Sequence, residues 1–438
     1  MRTINFSPEI FNQSVAMMSG NSTESIDGSG MKRTSRGLPV FAVALAAAVL
    51  ASSAAFAAPA NCHNTGSFEA WLAKFKQEAE AQGISRAAIA AASPYLVLDQ
   101  RIIGIDRGQK FFAQDFLQFS DKMLAGGRIT GGQNQIKKHA AIFAREEKDY
   151  GVPPAVITAF WGLESDFGAN QGKDQSIKSL ATLAYDCRRS DMFRGHLFDS
   201  LRLLERGDLT APEMIGSWAG ELGQTQMMPS EYLKNAVDYD GDGKRNLIKS
   251  TADVIGSTGN YLVSLGWKRG QPWLQEVHVP AKLPWDQADL AIQHPRSQWA
   301  AWGVTYPGGH ALPADTMPAS LLLPMGRFGP AFLAYDNFQV YLKWNNSLVY
   351  STTAAYYATR LAGAPAIVRT TGSVPVVTAE EVREIQQILT RMGYDVGGAD
   401  GKVGISTRAA IKTMQMKFGL PADSYPSPEL LARLRAGR

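Results

Sequence analysis

A long helical pattern constrains the fold of this chain more than any other feature. From residue 67 to about residue 266, large apolar residues return at the three- and four-residue spacing of one helix face, as Phe68, Trp71, Leu72 and Phe75 do. This spacing predicts a mainly helical domain over that range.

One of these helices places a carboxylate on its apolar face. Residues 133–150 predict a single helix, and Pro153 opens the next one at a first-turn position, where a missing N–H group costs nothing. Phe160 lies on the apolar face of this second helix. Glu164 follows four residues later and therefore shares that face. Gly168 marks the exit from the helix.

The amino-acid composition of the chain changes after residue 270. Pro and Gly become frequent over residues 270–330, and the runs "EVHVP" and "ASLLLP" are typical of strands. We expect a mainly α protein with a core domain over residues 65–362 that contains a small β insertion. Residues 363–378 have the composition of a linker, and residues 379–438 form a compact, separate module.

Residues 31–57 have the three parts of a secretory signal peptide. A short basic region precedes the 13 apolar residues Leu38–Leu50, which are too few to span a membrane comfortably. The small-x-small cleavage sequence Ala55-Phe56-Ala57 follows. We interpret residues 1–30 as disordered or not translated. A periplasmic protein without a transmembrane segment in its mature chain is expected, and a short N-terminal membrane anchor is the alternative.

Charge and cysteine content narrow the class of protein further. The formal net charge is +4 and no dense Lys/Arg block occurs, so nucleic acid is not the expected partner. Both cysteines, Cys62 and Cys187, follow the cleavage site, and in an oxidising compartment they predict a disulfide. A lipid anchor at Cys62 and two unpaired thiols are the alternatives.

The surroundings of Glu164 suit a general acid. Burial against apolar groups raises the pKa of a Glu, which then keeps its proton at neutral pH. A partly buried Glu that caps a backbone group is the alternative. Glycoside cleavage usually needs two carboxylates, but Asp166 points to another side of the helix. A single Glu suffices where the substrate supplies its own nucleophile, as the C6 hydroxyl of N-acetylmuramic acid does.

A second polar cluster occurs in "GSWAGELGQTQMMPSEY", residues 216–232. Ser217, Gln224 and Gln226 offer the neutral donors and acceptors that sugars require, and Trp218 offers a stacking face. An ordinary tight turn between helices is the alternative.

Several motifs together resemble one family. "GLESDFG", "SLATLAYDCRR", "GSWAGELGQTQMMPS", "VDYDGDG" and "GNYL" are similar in order and spacing to the lytic murein transglycosylase B family, over roughly residues 65–362. The C-terminal module resembles the three-helix peptidoglycan-binding domain. The resemblance implies a lysozyme-like α+β core that cleaves the MurNAc–GlcNAc bond of peptidoglycan to a 1,6-anhydro product. It implies that the chemistry requires no cofactor and that glycan strands are the substrate. Cell-envelope proteins are possible further partners.

The resemblance also implies roles for single residues. The catalytic acid and base of the family falls on Glu164. The substrate-binding positions of the family fall on Ser217, Gln226, Tyr261, Asn345, Tyr350, Arg188 and Arg189. This chain has Glu221 where the family usually has Ala, and we expect its side chain to point outward. It has Trp344 where some relatives have Tyr, and we expect that ring to stack but not to donate from a hydroxyl.

The run "DYDGDGKRNLIKSTAD", residues 238–253, resembles a calcium loop. Gly243 stands where the sharp turn of such a loop needs it, but Lys249 occupies the position of the usual closing Glu. The candidate ligands are Asp238, Asp240, Asp242, the carbonyl of Lys244, and Asp253, which closes a lengthened loop as the resemblance implies. Asp253 also forms a capping-box-like pair with Ser250, and a plain solvated turn is the alternative to a structural calcium site.

Two other functions compete with a lytic transglycosylase. A muramidase would hydrolyse the same bond with water and would need a second positioned carboxylate, for which Glu221 is the candidate. A non-catalytic wall-binding protein would use the cleft as a lectin does, but the retention of Glu164 with Ser217 and Gln226 disfavours this alternative.

Overall fold

The computed structural model describes residues 64, 66–108, 114–368, 374 and 377–437. The predicted signal peptide, the leading segment and Cys62 lie outside these residues. Within them, no helix is both long and apolar enough to cross a membrane.

Eleven helices precede the insertion in the described part of the chain. They are α1 Phe68–Ala81, α2 Arg86–Ala92, α3 Gln100–Arg107, α4 Phe116–Leu124, α5 Arg128–Lys138, α6 Ala140–Asp149, α7 Pro154–Ser165, α8 Ser176–Tyr185, α9 Ser190–Arg206, α10 Pro229–Asn235 and α11 Thr251–Ser264. The single helix expected over residues 133–150 is two helices, α5 and α6. The backbone of His139 leaves the helical region (φ −110°, ψ 25°) and interrupts the hydrogen-bond ladder between them.

Helix α7 forms the centre of this domain. Pro154 occupies its first position and Pro153 is the N-cap, one residue later than expected. Every residue from 155 to 165 is buried. The helix ends where Asp166 and Phe167 take positive φ angles of 52° and 60°, which turn the chain sharply out of the helix. Glu164 therefore lies in the last turn of a fully buried helix.

The insertion is built on a four-stranded antiparallel sheet in the order β3-β6-β5-β4. Its strands are β3 Leu274–Val277, β4 His294–Pro295, β5 Pro318–Leu322 and β6 Ala331–Ala334, and the short helix α12 is Arg296–Ala301. A shorter pair, β1 Asp174–Gln175 and β2 Ile215–Gly216, lies outside the insertion. The insertion has its own apolar core around Trp299, whose indole N–H donates to the carbonyl of Ala319 at 2.8 Å.

The chain then returns to the first domain through α13 Asp336–Trp344 and α14 Leu348–Leu361. Helix α14 packs on α7. Phe160 of α7 stacks on Trp344 of α13 with 4.3 Å between the ring centroids. Two segments that are far apart in sequence thus meet at the end of α7 that carries Glu164.

The C-terminal module has three helices, α15 Ala379–Arg391, α16 Ile405–Lys417 and α17 Pro428–Ala436, around a separate apolar core. This module, the helical core and the β insertion confirm the fold class expected from the sequence. Polar contacts join the module to the insertion in the described part of the chain. Lys412 Nζ is 2.8 Å from Asp289, Arg327 Nη1 is 3.1 Å from Asp423, and Arg408 donates to the Leu323 carbonyl.

The described part of the segment before the module is packed as well. Ile367 is buried and Val374 packs on the main core. These two residues therefore belong to the main core although they lie in the predicted linker.

Candidate active site

Glu164 is buried and is held by two donors. Its side chain is 6% exposed. Trp344 Nε1 donates to Glu164 Oε1 at 2.9 Å, and the Tyr350 hydroxyl donates to the same oxygen. Oε2 has no hydrogen-bond partner among the described residues.

Burial raises the pKa of Glu164 to about 7, and the hydrogen bonds from Tyr350 and Trp344 oppose that rise because they favour the ionised form. A carboxyl group with this pKa is part protonated at neutral pH. It gives a proton readily and takes one back, as a general acid and base must.

Trp344 makes a contact that the sequence analysis did not predict. It was expected to stack but not to donate from a hydroxyl, and its indole N–H donates to Glu164 instead. Its ring also contacts the Tyr261 ring, with 5.1 Å between the ring centroids. The sequence shows that Trp344 carries an indole donor. It does not show that this donor reaches Glu164, because the two residues are 180 positions apart.

The polar cluster of residues 216–232 forms a tight double turn against the end of α7. The turn is closed by backbone pairing between Leu222 and Met227. Gln224 accepts from Trp161 Nε1 at 2.8 Å, and its backbone carbonyl accepts from Ser165 Oγ at 2.5 Å, so α7 holds this turn directly.

Gln226 has a positive φ of 50°, and its Nε2 donates to the carbonyls of Gly223 and Gln171. Its Oε1 is buried and has no partner among the described residues. The amide group is therefore fixed in orientation, with one acceptor oxygen still available.

Glu221 does not point outward, and the expectation was wrong. The residue is 2% exposed, and Ser217 Oγ donates to its Oε2 at 2.6 Å. The reason is the turn itself, because Ser217 N bonds to the Glu221 carbonyl and Gly220 N bonds to the Ser217 carbonyl, which returns residue 221 to the side of residue 217. A Cβ at Gly216 would lie 1.9 Å from the Glu221 carbonyl oxygen, so only glycine allows this approach.

The carboxyl group of Glu221 is electrostatically coupled to the cleft. Burial raises its pKa to about 8. The hydrogen bond from Ser217 and the charge of Arg189 lower it, and the charges of Glu164 and Glu231 raise it further. Below that pH the group is a neutral acid.

The two arginines assigned to substrate binding are engaged by a buried carboxylate. Arg188 Nε donates to Asp106 Oδ2 at 2.6 Å, and Arg189 also binds Asp106, which belongs to α3. Cys187, the residue before them, is disulfide-bonded. Its pairing with Cys62 stays a prediction, since Cys62 lies outside the described residues.

Two further predicted residues lie beside Trp344, in space or in sequence. Tyr261 contacts Trp344, and burial raises the pKa of its hydroxyl well above the usual range. Asn345 follows Trp344 directly, is buried, and accepts from the Ser347 backbone N–H at 2.9 Å. Their role in substrate binding stays a prediction.

Three acidic residues of the predicted calcium loop converge. Carboxylate oxygens of Asp238, Asp240 and Asp253 all lie within 4.8 Å of one another. Asp242 is not in this group, and its Oδ1 accepts from the Lys244 backbone N–H at 2.8 Å. Ser250 caps α11 by accepting from Asp253 N, as the capping alternative predicted.

The gathered oxygens fit a hard cation, which prefers several carboxylate ligands. Asp253 is fully buried, and burial, with the nearby charge of Asp240, raises its pKa while backbone N–H donors oppose the rise. A bound cation would relieve the repulsion between these carboxylates. Three of the expected ligands converge, and the calcium site stays a prediction.

The sequence comparisons place this architecture in a family. Residues 67–359 match the transglycosylase SLT domain, and residues 378–434 match the putative peptidoglycan binding domain. The first match covers well over half of the chain. This chain belongs to the transglycosylase SLT family. The resemblance inferred from the motifs is confirmed.

Individual relatives agree with this assignment. Membrane-bound lytic murein transglycosylase B of Escherichia coli (strain K12) is 31% identical over 242 residues, which are 54% of this chain and 64% of that relative. This chain thus spans just under two thirds of that relative's length. SltB3 from Pseudomonas aeruginosa, solved in complex with NAG-anhNAM-pentapeptide, has a TM-score of 0.78 at 40% identity, over 85% of this chain and 100% of that one. Escherichia coli lytic transglycosylase Slt35, solved in complex with calcium, has a TM-score of 0.57 at 26% identity, over 66% and 92% of the chains.

Proposed function

We propose that this protein is a lytic transglycosylase that cleaves the MurNAc–GlcNAc β-1,4 bond of peptidoglycan and forms 1,6-anhydro-MurNAc. The observation that carries the proposal is the environment of Glu164. One carboxyl oxygen is held by two donors, the other has no partner among the described residues, and the pKa of the group is raised to about 7.

In the first step Glu164 acts as the acid. The proton of Glu164 passes to the glycosidic oxygen, the bond from that oxygen to C1 of MurNAc breaks, and positive charge develops on the sugar. The ionised Glu164 that results is stabilised by the hydrogen bonds from Trp344 and Tyr350, which favour the charged form.

In the second step the same group acts as the base. The ionised Glu164 takes the proton of the C6 hydroxyl, and that oxygen forms a bond to C1. The group returns to its protonated state, and no water is consumed. No cofactor takes part in this chemistry, and a calcium ion held by Asp238, Asp240 and Asp253 would stabilise the fold beside the cleft.

The resemblance assigns the remaining predicted residues to the glycan and its peptide stem. They are Ser217, Gln226, Tyr261, Asn345, Tyr350, Arg188 and Arg189. The available acceptor oxygen of Gln226 supports a contact to a sugar hydroxyl or amide. The ligand of SltB3 contains an anhydro sugar and a pentapeptide, which supports both the product and the stem contact.

Hydrolysis by water is the second candidate, because the structure brings a second carboxyl group, Glu221, near Glu164. A water-activating base must be ionised at working pH. Since the pKa of Glu221 is raised to about 8, the group is mostly neutral at pH 7 and is a poor base there. The raised pKa of Glu221 therefore favours the anhydro product.

The C-terminal module supports action at the cell wall. Its match to a putative peptidoglycan binding domain motivates the proposal that it adsorbs the enzyme to glycan strands in the periplasm. The predicted signal peptide would direct the export.

Mass spectrometry of the fragments released from purified sacculi tests this proposal. The expected fragments end in 1,6-anhydro-MurNAc. Fragments one water heavier would identify a muramidase, and the absence of any fragments would identify a binding protein.

A further inference from the structure

The Ser217 hydroxyl already has all the hydrogen bonds that a hydroxyl group forms. Its hydrogen is donated to Glu221 Oε2 at 2.6 Å. Its oxygen accepts from the backbone N–H groups of Ala219 at 3.1 Å and Glu221 at 3.3 Å. One donor and two acceptor positions are the full capacity of a serine hydroxyl. Ser217 thus has no hydrogen left for a substrate in this arrangement.

Glu221 has the unused capacity in this pair. Its Oε2 is occupied by Ser217, and its Oε1 has no hydrogen-bond partner among the described residues. When the carboxyl group is neutral, the hydrogen from Ser217 on Oε2 leaves Oε1 as the place for the acid proton. A neutral carboxyl group donates that proton in a hydrogen bond.

We propose that Glu221, held in place by Ser217, is the hydrogen-bond donor that this turn offers to the glycan, and that Ser217 acts through it. The acceptor would be a neutral oxygen of the sugar, such as an acetamido carbonyl. This inference rests on the proposed function and adds a substrate-binding residue to it.

The turn is closed by backbone hydrogen bonds as well as by this side chain. Backbone bonds from Ser217 N to the Glu221 carbonyl and from Gly220 N to the Ser217 carbonyl already close it. Burial of a carboxyl group is unfavourable, and the free-energy cost is larger when the group is ionised. Glu221 carries this free-energy cost beside the catalytic Glu, although backbone bonds already close the turn. Its side chain therefore suits a role in binding.

Burial, together with two nearby carboxylates, keeps Glu221 mostly neutral at working pH. Glu164 of α7 and Glu231 of α10 face it and disfavour ionisation, while Arg189 and the Ser217 hydrogen bond favour ionisation. Burial outweighs the latter two, so the pKa of Glu221 is raised to about 8. Ionised Glu221 has no proton to donate, and the proposed contact is lost above that pH.

A double-mutant cycle tests the proposal. We would measure kcat and KM on soluble glycan fragments for the wild type, Glu221→Ala, Ser217→Ala and the double variant. Glu221→Ala should lower kcat/KM about tenfold to a hundredfold, since a donor and its precise placement are lost. Ser217→Ala should lower it less, and should have no further effect when combined with Glu221→Ala.

Glu221→Gln provides a second readout, because an amide donates at every pH and its oxygen still accepts from Ser217. This variant should retain more activity than Glu221→Ala. Above pH 8 the wild-type rate should fall with the loss of two protons, one from Glu164 and one from Glu221. The rate of Glu221→Gln should fall with the loss of the Glu164 proton alone. If Glu221→Ala does not fold, this difference in pH profile decides the question.

Three results would overturn the proposal: wild-type kcat/KM in Glu221→Ala, an undiminished effect of Ser217→Ala in the double variant, or identical pH profiles of the wild type and Glu221→Gln. Each is distinct from failure of the proposed function, in which the wild type itself would release no anhydro fragments.

Discussion

Glu146 should make the stability of this protein fall as the pH rises, and Glu146→Gln should remove most of that fall. The residue belongs to α6 and is fully buried, and neither carboxyl oxygen has a partner among the described residues. A Cβ at Gly259 would lie 2.0 Å from its Oε1, so α11 closes over it. Burial raises the pKa of Glu146 to about 9 from an ordinary value of 4.5, with a smaller contribution from the charge of Glu147.

The sign follows from the raised pKa. The contribution of the neutral group to stability is complete below pH 4.5 and is lost as the pH rises toward 9, because the unfolded chain ionises first. Each pH unit in this window is worth about 1.36 kcal/mol, so the loss between pH 5.5 and pH 7.5 is about 2.7 kcal/mol. An amide of similar shape does not ionise, and its stability should not change over that window for this reason.

Urea unfolding at the two pH values measures the effect. The free energy of unfolding of Glu146→Gln relative to the wild type should increase by about 2 to 3 kcal/mol from pH 5.5 to pH 7.5. Glu147→Gln, an exposed neighbour on the same helix, is the matched control for loss of a charge and should show little change. An equal difference between Glu146→Gln and the wild type at both pH values would refute the reasoning.

Three further predictions concern the site, the loop and the module. Trp344→Phe keeps an aromatic ring but removes the N–H donor that lowers the pKa of Glu164, so the alkaline limb of the pH–rate profile should move to higher pH and kcat should fall several-fold; an unmoved limb would exclude the contact. Calcium at a hundred times its Kd should stabilise the fold by about 2.7 kcal/mol, with a corresponding rise in Tm over a chelator control, and Asp253→Asn should abolish the shift; equal Tm values with calcium and chelator would remove the metal site. Deletion of residues 378–438 should weaken pelleting with sacculi and leave cleavage of soluble glycan fragments in place; unchanged pelleting would contradict the wall-binding proposal.

The sequence predicted the parts of the site that depend on local spacing. Phe160 and Glu164 share one helix face because they are four residues apart, and the apolar character of that face already implied a raised pKa. The three oxygens of the acidic loop are likewise a local pattern. Asp242 differs because its side chain bonds to the Lys244 backbone instead, a choice that spacing does not determine.

The contacts that sequence reasoning missed depend on the path of the chain between elements. Glu221 was expected to point outward, and only the hydrogen-bonded turn with Ser217 explains why it points inward. Trp344 reaches Glu164 because α13 packs on α7, which no local pattern reveals. The break at His139 was missed because the apolar spacing continues across it. The backbone leaves the helical conformation there, and the spacing does not show this.

The central claim is that one carboxyl group, Glu164, is both the acid and the base. The most direct measurement is the release of 1,6-anhydro fragments from sacculi by Glu164→Gln beside the wild type, at equal adsorption and equal Tm. An amide of the same shape neither gives nor takes the proton, so the account predicts release reduced to background. Release at more than a small fraction of the wild-type rate would contradict it.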